Sequence, residues 1–217
     1  MKIIDYFKRK RTSTSAVEEK IETIEAVENE YTLLQLANDG HTYWKFSQSQ
    51  RGRSAEPVFI EYVPNTITTA EDSEKKLSFV NEKNILKCYM YGDVLTKFCF
   101  DISDEKFQTI CNEKYHYIGG GLGEYESSKL LTENNYSLQK VETISVLFKL
   151  AKVPSDVIPF FRHFHGPNME ERLRKFGYYE AADFMKYLEK TYEADTLEGA
   201  TVIINRIDEI AHEYITK

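Results

Sequence analysis

The spacing of the apolar residues changes near residue 119, and this change constrains the fold more than any other feature. Between Tyr31 and Ile118 the apolar residues form short, β-like runs that are separated by turn residues. After Gly123 they recur every three or four positions, which is the spacing of amphipathic helices. Strands followed by helices predict an α+β fold, in which an antiparallel sheet over roughly residues 31–118 packs with helices over roughly 124–216.

Turn residues divide the first half of the chain into predicted hairpins. The sequence NDG at 38–40 separates the runs TLLQLA and TYWKFS, and glycine at this place supplies the positive φ of a tight turn. The sequence GD at 92–93 separates ILKCYMY from VLTKFCF in the same way. The runs PVFIEYV at 57–63 and KYHYI at 114–118 are predicted to add further strands.

Helix signals occupy the second half. Ser137 is predicted to cap a helix over 138–152. Pro154 should end that helix and open another, and Pro159 is expected in its first turn because proline is tolerated there. The last helix is the most strongly predicted, and its capping pair is Asp195 and Glu198. Its apolar stripe comprises Leu197, Ala200, Ile203, Ile204, Ile207, Ile210 and Tyr214.

The composition suits a folded protein with one ordinary core. Of the 217 residues, 41% are hydrophobic and 29% are charged, as is usual for globular proteins. We expect residues 1–15 to form a basic amphipathic tip and linker, and residues 16–217 to form one composite domain. No segment approaches the roughly 20 apolar residues that cross a bilayer, so neither a membrane span nor a secretory signal is expected.

The spacing of the cysteines predicts that their thiols are reduced. Cys88, Cys99 and Cys111 lie in apolar runs and lack the CxxC or CxxH spacing of metal and redox sites. Free cysteine packs as a small hydrophobe, so we expect core residues rather than nucleophiles. A cytoplasmic location follows from this usage, and no cofactor is expected.

The polar face of the last helix is the first candidate site. Opposite the apolar stripe lie Glu198, Asn205, Asp208, Glu209 and His212. The net charge of −7 and the isoelectric point near 5.4 disfavour nucleic acid as a partner. Such a face is either a solvated helix surface or a docking surface for a basic protein.

A glycine-rich loop is the second candidate site. Gly119, Gly120, Gly121 and Gly123 follow a predicted strand and precede the run EYESSKLL, which is predicted to be helical. Exposed backbone N–H groups at a helix start could hold the phosphate of a nucleotide-like ligand. The spacing fits neither dinucleotide-binding nor P-loop motifs, so a tight turn is the competing interpretation.

A metal site is the third candidate. Asp156, His163 and His165 are residue types that bind zinc, although residues two apart on a helix point in different directions. The competing interpretation is an ordinary helix end, with His165 placed favourably near the C-terminal dipole.

The absence of recognised catalytic motifs favours a binding function. In being small, acidic and free of such motifs, the chain resembles the immunity proteins of bacterial toxin systems. That resemblance implies a non-catalytic module that neutralises or regulates a basic protein partner. The alternative is an enzyme acting on a phosphorylated or nucleotide-like ligand at the glycine loop. A third possibility is a structural subunit of a larger assembly, which an exposed patch of tyrosines would favour.

Overall fold

The computed structural model describes residues 31–47, 60–71, 76–119, 121, 123–151, 153–164, 174 and 177–217. Its eight strands in this part of the chain are all paired antiparallel, in the order β1-β6-β7-β4-β2-β5-β8-β3. The strands are β1 Tyr31–Thr32, β2 Tyr43–Ser47, β3 Ile67–Thr69, β4 Leu77–Asn81, β5 Val94–Phe98, β6 Lys114–Gly119, β7 Glu124–Ser127 and β8 Lys129–Ser137.

Short helices interrupt the strands, and longer helices follow them. The helices of the described residues are α1 Leu33–Ala37, a 3₁₀ helix Ile85–Tyr91, α2 Glu105–Ile110, α3 Val141–Lys149, α4 Pro154–Phe164, α5 Tyr179–Tyr192 and α6 Leu197–Ile215. An antiparallel sheet followed by C-terminal helices confirms the predicted α+β class.

The sheet extends further along the chain than predicted. The run EYESSKLL is not helical, because it forms β7 and the start of β8. Strand β7 pairs with both β4 and β6, and Phe79 of β4 lies opposite Tyr125 with stacked rings. Pairing on both edges outweighs the local helical pattern, so the helical region begins at Val141 rather than near residue 124.

Neither predicted hairpin forms as expected. TLLQLA contributes only Thr32 to β1 and then forms α1, which buries Leu33 and Leu36 on one side. ILKCYMY is the 3₁₀ helix, in which Ile85 and Leu86 are buried. Adjacent apolar residues fit a buried turn of helix as well as a strand, and tertiary packing decides between them.

The other predicted strands have mixed outcomes. VLTKF forms β5 and KYHYI lies within β6, as predicted. In PVFIEYV, residues 57–59 lie outside the described part of the chain and residues 60–63 are not in a strand. Tyr62 of this run is nevertheless buried, against Phe98.

Both faces of the sheet are covered. Trp44, Phe46, Val80 and Leu95 point to a core shared with the C-terminal helices, the helix-side core. The strand residues that alternate with these point to the opposite face of the sheet. They form a second core with α1 and α2, the loop-side core, which includes Tyr43, Leu77, Phe79 and Phe98. The strands alternate imperfectly in sequence because both of their faces are apolar.

The helix boundaries differ in detail from the predictions. Residues 138–140 form a turn before α3, in which the Ser137 carbonyl accepts a hydrogen bond from the Thr143 hydroxyl at 2.5 Å. Pro159 lies in the second turn of α4, so position 159 donates no hydrogen bond to the Ser155 carbonyl. Thr196, not Asp195, caps α6 by accepting a hydrogen bond from the Gly199 N–H at 3.0 Å.

A buried aspartate joins the sheet to the helical layer. The Asp93 N–H donates to the Ser47 carbonyl of β2, and the Asp93 carbonyl accepts from the Leu138 N–H before α3. Its carboxylate accepts a hydrogen bond from the hydroxyl of Tyr178, which immediately precedes α5. Both Asp93 and Tyr178 are buried, so this contact fixes the start of α5 against the sheet.

Replacing Tyr178 with phenylalanine should lower the free energy of unfolding by about 1.5–3 kcal/mol, the usual worth of a hydrogen bond to a charged group. The substitution keeps the ring but removes one donor from the buried Asp93 carboxylate. Tyr179→Phe is the matched control, because Tyr179 is the next residue and is exposed. Urea unfolding measures both, and equal stability of the two variants would contradict the anchoring role of Asp93.

Candidate functional site

The five residues predicted on the polar face of the last helix all lie on the exposed side of α6. Glu198, Asn205, Asp208, Glu209 and His212 are exposed. The opposite side of this 19-residue helix packs into the helix-side core through residues such as Ala200, Ile203, Ile207 and Ile210. We call the exposed side, with the residues at its amino-terminal end, the outer face of α6.

The carboxy-terminal half of the outer face carries ion pairs. The Asp208 carboxylate lies 2.6 Å from Lys149 Nζ and accepts a hydrogen bond from the Ser145 hydroxyl at 2.6 Å. Lys149 and then Ser145 lower the pKa of Asp208 below its ordinary value. Because both partners belong to α3, Asp208 links α6 to its neighbouring helix.

Arg206 compensates two further carboxylates of α6. Its Nε donates to Glu209 Oε2 at 2.8 Å, and its Nη2 lies 3.7 Å from Glu213 Oε1. Such exposed pairs contribute little to stability, but they reduce the negative field along this part of the helix.

The amino-terminal end of the outer face is different. Within the described residues, Glu193, Asp195 and Glu198 make no ion pair. Leu197, which was predicted to lie in the apolar stripe, is 64% exposed between them, and Val202 is 37% exposed one turn further along. This end combines uncompensated acids with an exposed leucine.

The glycine loop connects β6 to β7 and is followed by a strand. Gly119 and Gly123 have positive φ, and a Cβ on Gly123 would lie 2.6 Å from Asn84 Nδ2. These features match the tight turn that was the competing interpretation. Gly121 is described, whereas Gly120 lies outside the described residues. Phosphate binding here stays a prediction, without the helix that was expected to support it.

A cavity of about 150 Å³ lies beside this loop, where the pairing of β2 with β4 ends. Lys45 and Ser78 line it, and Lys45 Nζ donates to Ser78 Oγ at 2.8 Å. Cys88 also lines it, and burial, with the nearby Glu124 carboxylate, raises the pKa of the Cys88 thiol to about 11. The thiol is therefore protonated at neutral pH, which agrees with its prediction as a core residue.

The metal prediction rests partly on residues outside the described part of the chain. Asp156 lies in the first turn of α4 and His163 lies near its end, whereas His165 lies beyond the described residues. Elsewhere in the described chain, no three His, Cys, Asp or Glu side chains come together as metal ligands. The set Asp156, His163 and His165 stays a prediction.

Sequence reasoning missed a histidine–carboxylate pair. His41 Nδ1 lies 2.9 Å from Glu82 Oε1, and Glu82 Oε2 accepts a hydrogen bond from the Thr42 N–H at 2.9 Å. Burial alone would raise the pKa of Glu82, but hydrogen bonds from His41 and the backbone hold it below its ordinary value. The pair brings together residues 41 positions apart, and no local motif indicates it.

A second feature is an exposed aromatic surface on β1 and β6, the kind of tyrosine patch that a structural subunit would present. Tyr31 is 44% and Tyr117 59% exposed, and Ile118, the next residue of β6, is also exposed. Tyr31 stacks on Tyr115 with ring centroids 5.8 Å apart, and Tyr117 packs against Tyr125. The signal in the sequence is the alternation of tyrosines in KYHYI.

Comparison of this chain with protein-family models, with curated proteins and with solved structures found no match. In the part of the chain that the structure describes, no helix combines the length and the apolar character needed to span a membrane.

Glu82→Gln should destabilise the fold by about 1 kcal/mol near pH 5, and the deficit should shrink toward pH 2. Because the pKa of Glu82 is lower in the folded chain than in the unfolded chain, its carboxylate contributes stability above the unfolded pKa. That contribution is lost as the pH falls through the folded pKa. Urea unfolding at both pH values tests this, with the exposed Glu61→Gln as control. An unchanged deficit at low pH would contradict it.

Proposed function

We propose that this chain is a non-catalytic protein-binding module that engages a basic protein partner through the outer face of α6. The observation that carries the proposal is the amino-terminal end of that face. There Asp195 and Glu198 make no ion pair within the described residues, and Leu197 is exposed beside them.

The chemistry of this surface favours a protein over a small ligand. A convex helix surface offers no enclosure, whereas small molecules bind in concave sites that bury most of their surface. Exposed Leu197 and Val202 supply apolar area that a partner would cover. The flanking acids would select a basic partner and accelerate its association.

Neutralisation of the partner is the regulatory role that fits this arrangement. The helix is packed in place along its buried inner side; its backbone leaves helical geometry at Arg206, and beyond that point Asp208 is paired with Lys149 of α3. A rigid surface loses little conformational entropy on binding, so it can hold a partner tightly over a modest area. An immunity-like role, in which the module covers a functional surface of a basic protein, is the form of this proposal that we favour.

The double charge reversal Asp195→Lys with Glu198→Lys should abolish capture of the partner. Tagged wild type and variant are incubated with lysate of the source cells at low and moderate salt, and bound proteins are quantified by mass spectrometry. At least one basic protein should bind wild type in stoichiometric amount and be lost from the variant. Its capture by wild type should decrease as salt rises, because screening weakens the attraction.

The matched control is Glu142→Lys with Glu180→Lys. These acids are exposed and lie in the first turns of α3 and α5, as Glu198 lies in the first turn of α6, and the control changes the net charge by the same amount. Retention of the partner by the control assigns the loss to the outer face of α6. Identical sets of captured proteins for all three chains would contradict the proposal.

A further inference from the structure

The histidine–carboxylate pair of His41 and Glu82 is built by two adjacent strand ends. His41 lies two residues before β2, and Glu82 follows directly after β4. Tyr43 pairs with Asn81 where these strands meet, and just beyond that pair the Glu82 N–H donates to the Thr42 carbonyl at 2.9 Å. Strand pairing therefore sets the distance between the imidazole and the carboxylate.

Glu82 is the fixed member of the pair. Only 6% of the residue is exposed, and each carboxylate oxygen has a donor. Oε1 faces His41 Nδ1 at 2.9 Å, and Oε2 accepts from the Thr42 N–H at 2.9 Å. Burial would raise the pKa of Glu82, but these hydrogen bonds hold it below its ordinary value, so the group is ionised at neutral pH. An ionised carboxylate only accepts, so the neutral imidazole of His41 carries its proton on Nδ1.

The other ring nitrogen of His41 faces the surface. Nε2 lies 3.5 Å from Nζ of Lys83 in an exposed contact, and 27% of the His41 side chain is exposed. Because the proton is on Nδ1, Nε2 keeps its lone pair and accepts from the lysine. A second acid, Asp39, accepts from the His41 N–H at 2.8 Å and from the Tyr43 hydroxyl, which offsets part of its charge. The ring thus presents an oriented lone pair beside a cation.

Two common roles of a histidine held in this way do not suit the surroundings. A metal-bound histidine needs further ligands, and within the described residues no three His, Cys, Asp or Glu side chains come together as metal ligands. A general base needs a substrate held beside it. Neither the cavity beside Lys45 nor the one between β8 and the start of α2 is lined by His41.

A nucleophilic role fits the geometry better. A group that arrives from solvent needs only the exposed lone pair of Nε2, and the carboxylate on the opposite nitrogen keeps that lone pair available. The ammonium group of Lys83 favours an arriving group that carries negative charge and oxygen acceptors, which is the chemistry of a phosphoryl group.

We propose that His41 Nε2 accepts a phosphoryl group from a phosphoramidate donor, with Glu82 as the positioning carboxylate and Lys83 as the cation that holds the phosphoryl oxygens. The Nε2 lone pair forms the new N–P bond while the P–N bond of the donor breaks. The donor nitrogen, protonated beforehand, leaves as the neutral amine. The Nδ1 proton stays in its hydrogen bond to Glu82, whose charge stabilises the positive charge that the ring gains.

This site is independent of the proposed function. His41, Glu82 and Lys83 lie at the ends of β2 and β4 and do not belong to the outer face of α6. Failure of phosphorylation would therefore leave the proposed capture of a basic partner untouched.

The experiment incubates the full chain with potassium phosphoramidate at neutral pH. Each histidine is followed by peptide mass spectrometry under alkaline conditions, which preserve the acid-labile N–P bond. The exposed His116 and His212 are internal references, and His41 should gain the phosphoryl group at least about threefold faster than either. Phosphorus NMR should place the group on Nε2, because Nδ1 is engaged by Glu82. Equal rates at the three histidines, or a phosphoryl group on Nδ1, would overturn the proposal.

Two variants test the assigned partners. Glu82→Gln keeps an oxygen that can accept from Nδ1 but removes the charge, and it should slow phosphorylation of His41 about three- to tenfold. Lys83→Gln removes the cation and should slow it about two- to fivefold, the usual effect of one exposed charge pair. Lys87→Gln is the matched control, because Lys87 is also exposed and its Nζ donates to Asn84. It should react as wild type does.

Two further readouts separate positioning from a general loss of structure. Lys83→Arg keeps the positive charge and should restore the rate at His41, which a purely structural loss in Lys83→Gln does not predict. In Glu82→Gln the carboxylate no longer engages Nδ1, so a fraction of the phosphoryl group should appear on that nitrogen. Unchanged rates at His41 in both Glu82→Gln and Lys83→Gln would overturn the assignment.

Discussion

The rest of the structure depends on the buried contact at Gly92 and Asp93. Gly92 packs so closely on β2 that a Cβ there would lie 2.1 Å from the Ser47 carbonyl oxygen. This approach allows the Asp93 main chain to bond to β2 and to the turn before α3, while its carboxylate receives the Tyr178 hydroxyl. One dipeptide therefore connects the sheet with the starts of two helices. A side chain at position 92 would separate them.

Because of this connection, one sheet supports two different parts of the molecule, one on each of its faces. The helix-side core carries α6, whose outer face ends in acids and an exposed leucine. The loop-side core borders a cavity of about 400 Å³, lined by residues such as Asn65, Ser103 and Asp104, on the other face of the same strands. Strand β8 serves both, because it pairs with β5 along one stretch and with β3 along another. The outer face of α6 and this cavity therefore lie on opposite sides of one sheet.

The sequence predicted the longest helix correctly, but it predicted the wrong structure for three short runs. Helix α6 repeats its apolar spacing over 19 residues, so its inner side and the exposure of all five predicted residues were predictable. The runs TLLQLA, ILKCYMY and EYESSKLL are only a few residues long, and their apolar content fits a strand or a helical turn equally well. Strands from elsewhere in the chain decide which structure such a run adopts, as the pairing of β7 with β4 and β6 shows.

The candidate sites also show that local sequence pattern predicts exposure but not contacts between distant residues. Exposure of Glu198 follows from helix periodicity, but the pairing of Asp208 with Lys149 depends on how two helices pack. Leu197 fits the apolar stripe by position and is nevertheless exposed, because it lies where the helix begins and few neighbours surround it. The buried Thr132 hydroxyl, which lacks a hydrogen-bond partner within the described structure, has no sequence signal, because its burial is a property of the assembled fold.

The most direct test of the account is whether the sheet and the helical layer unfold together. Trp44 is the single tryptophan and lies in the helix-side core, so its fluorescence reports on the junction between β2 and the helices. Circular dichroism at 222 nm reports on the helices as a whole. If Asp93 joins the two layers, urea unfolding followed by the two signals gives one coincident transition. Loss of helical signal at clearly lower urea than the Trp44 transition would contradict the account.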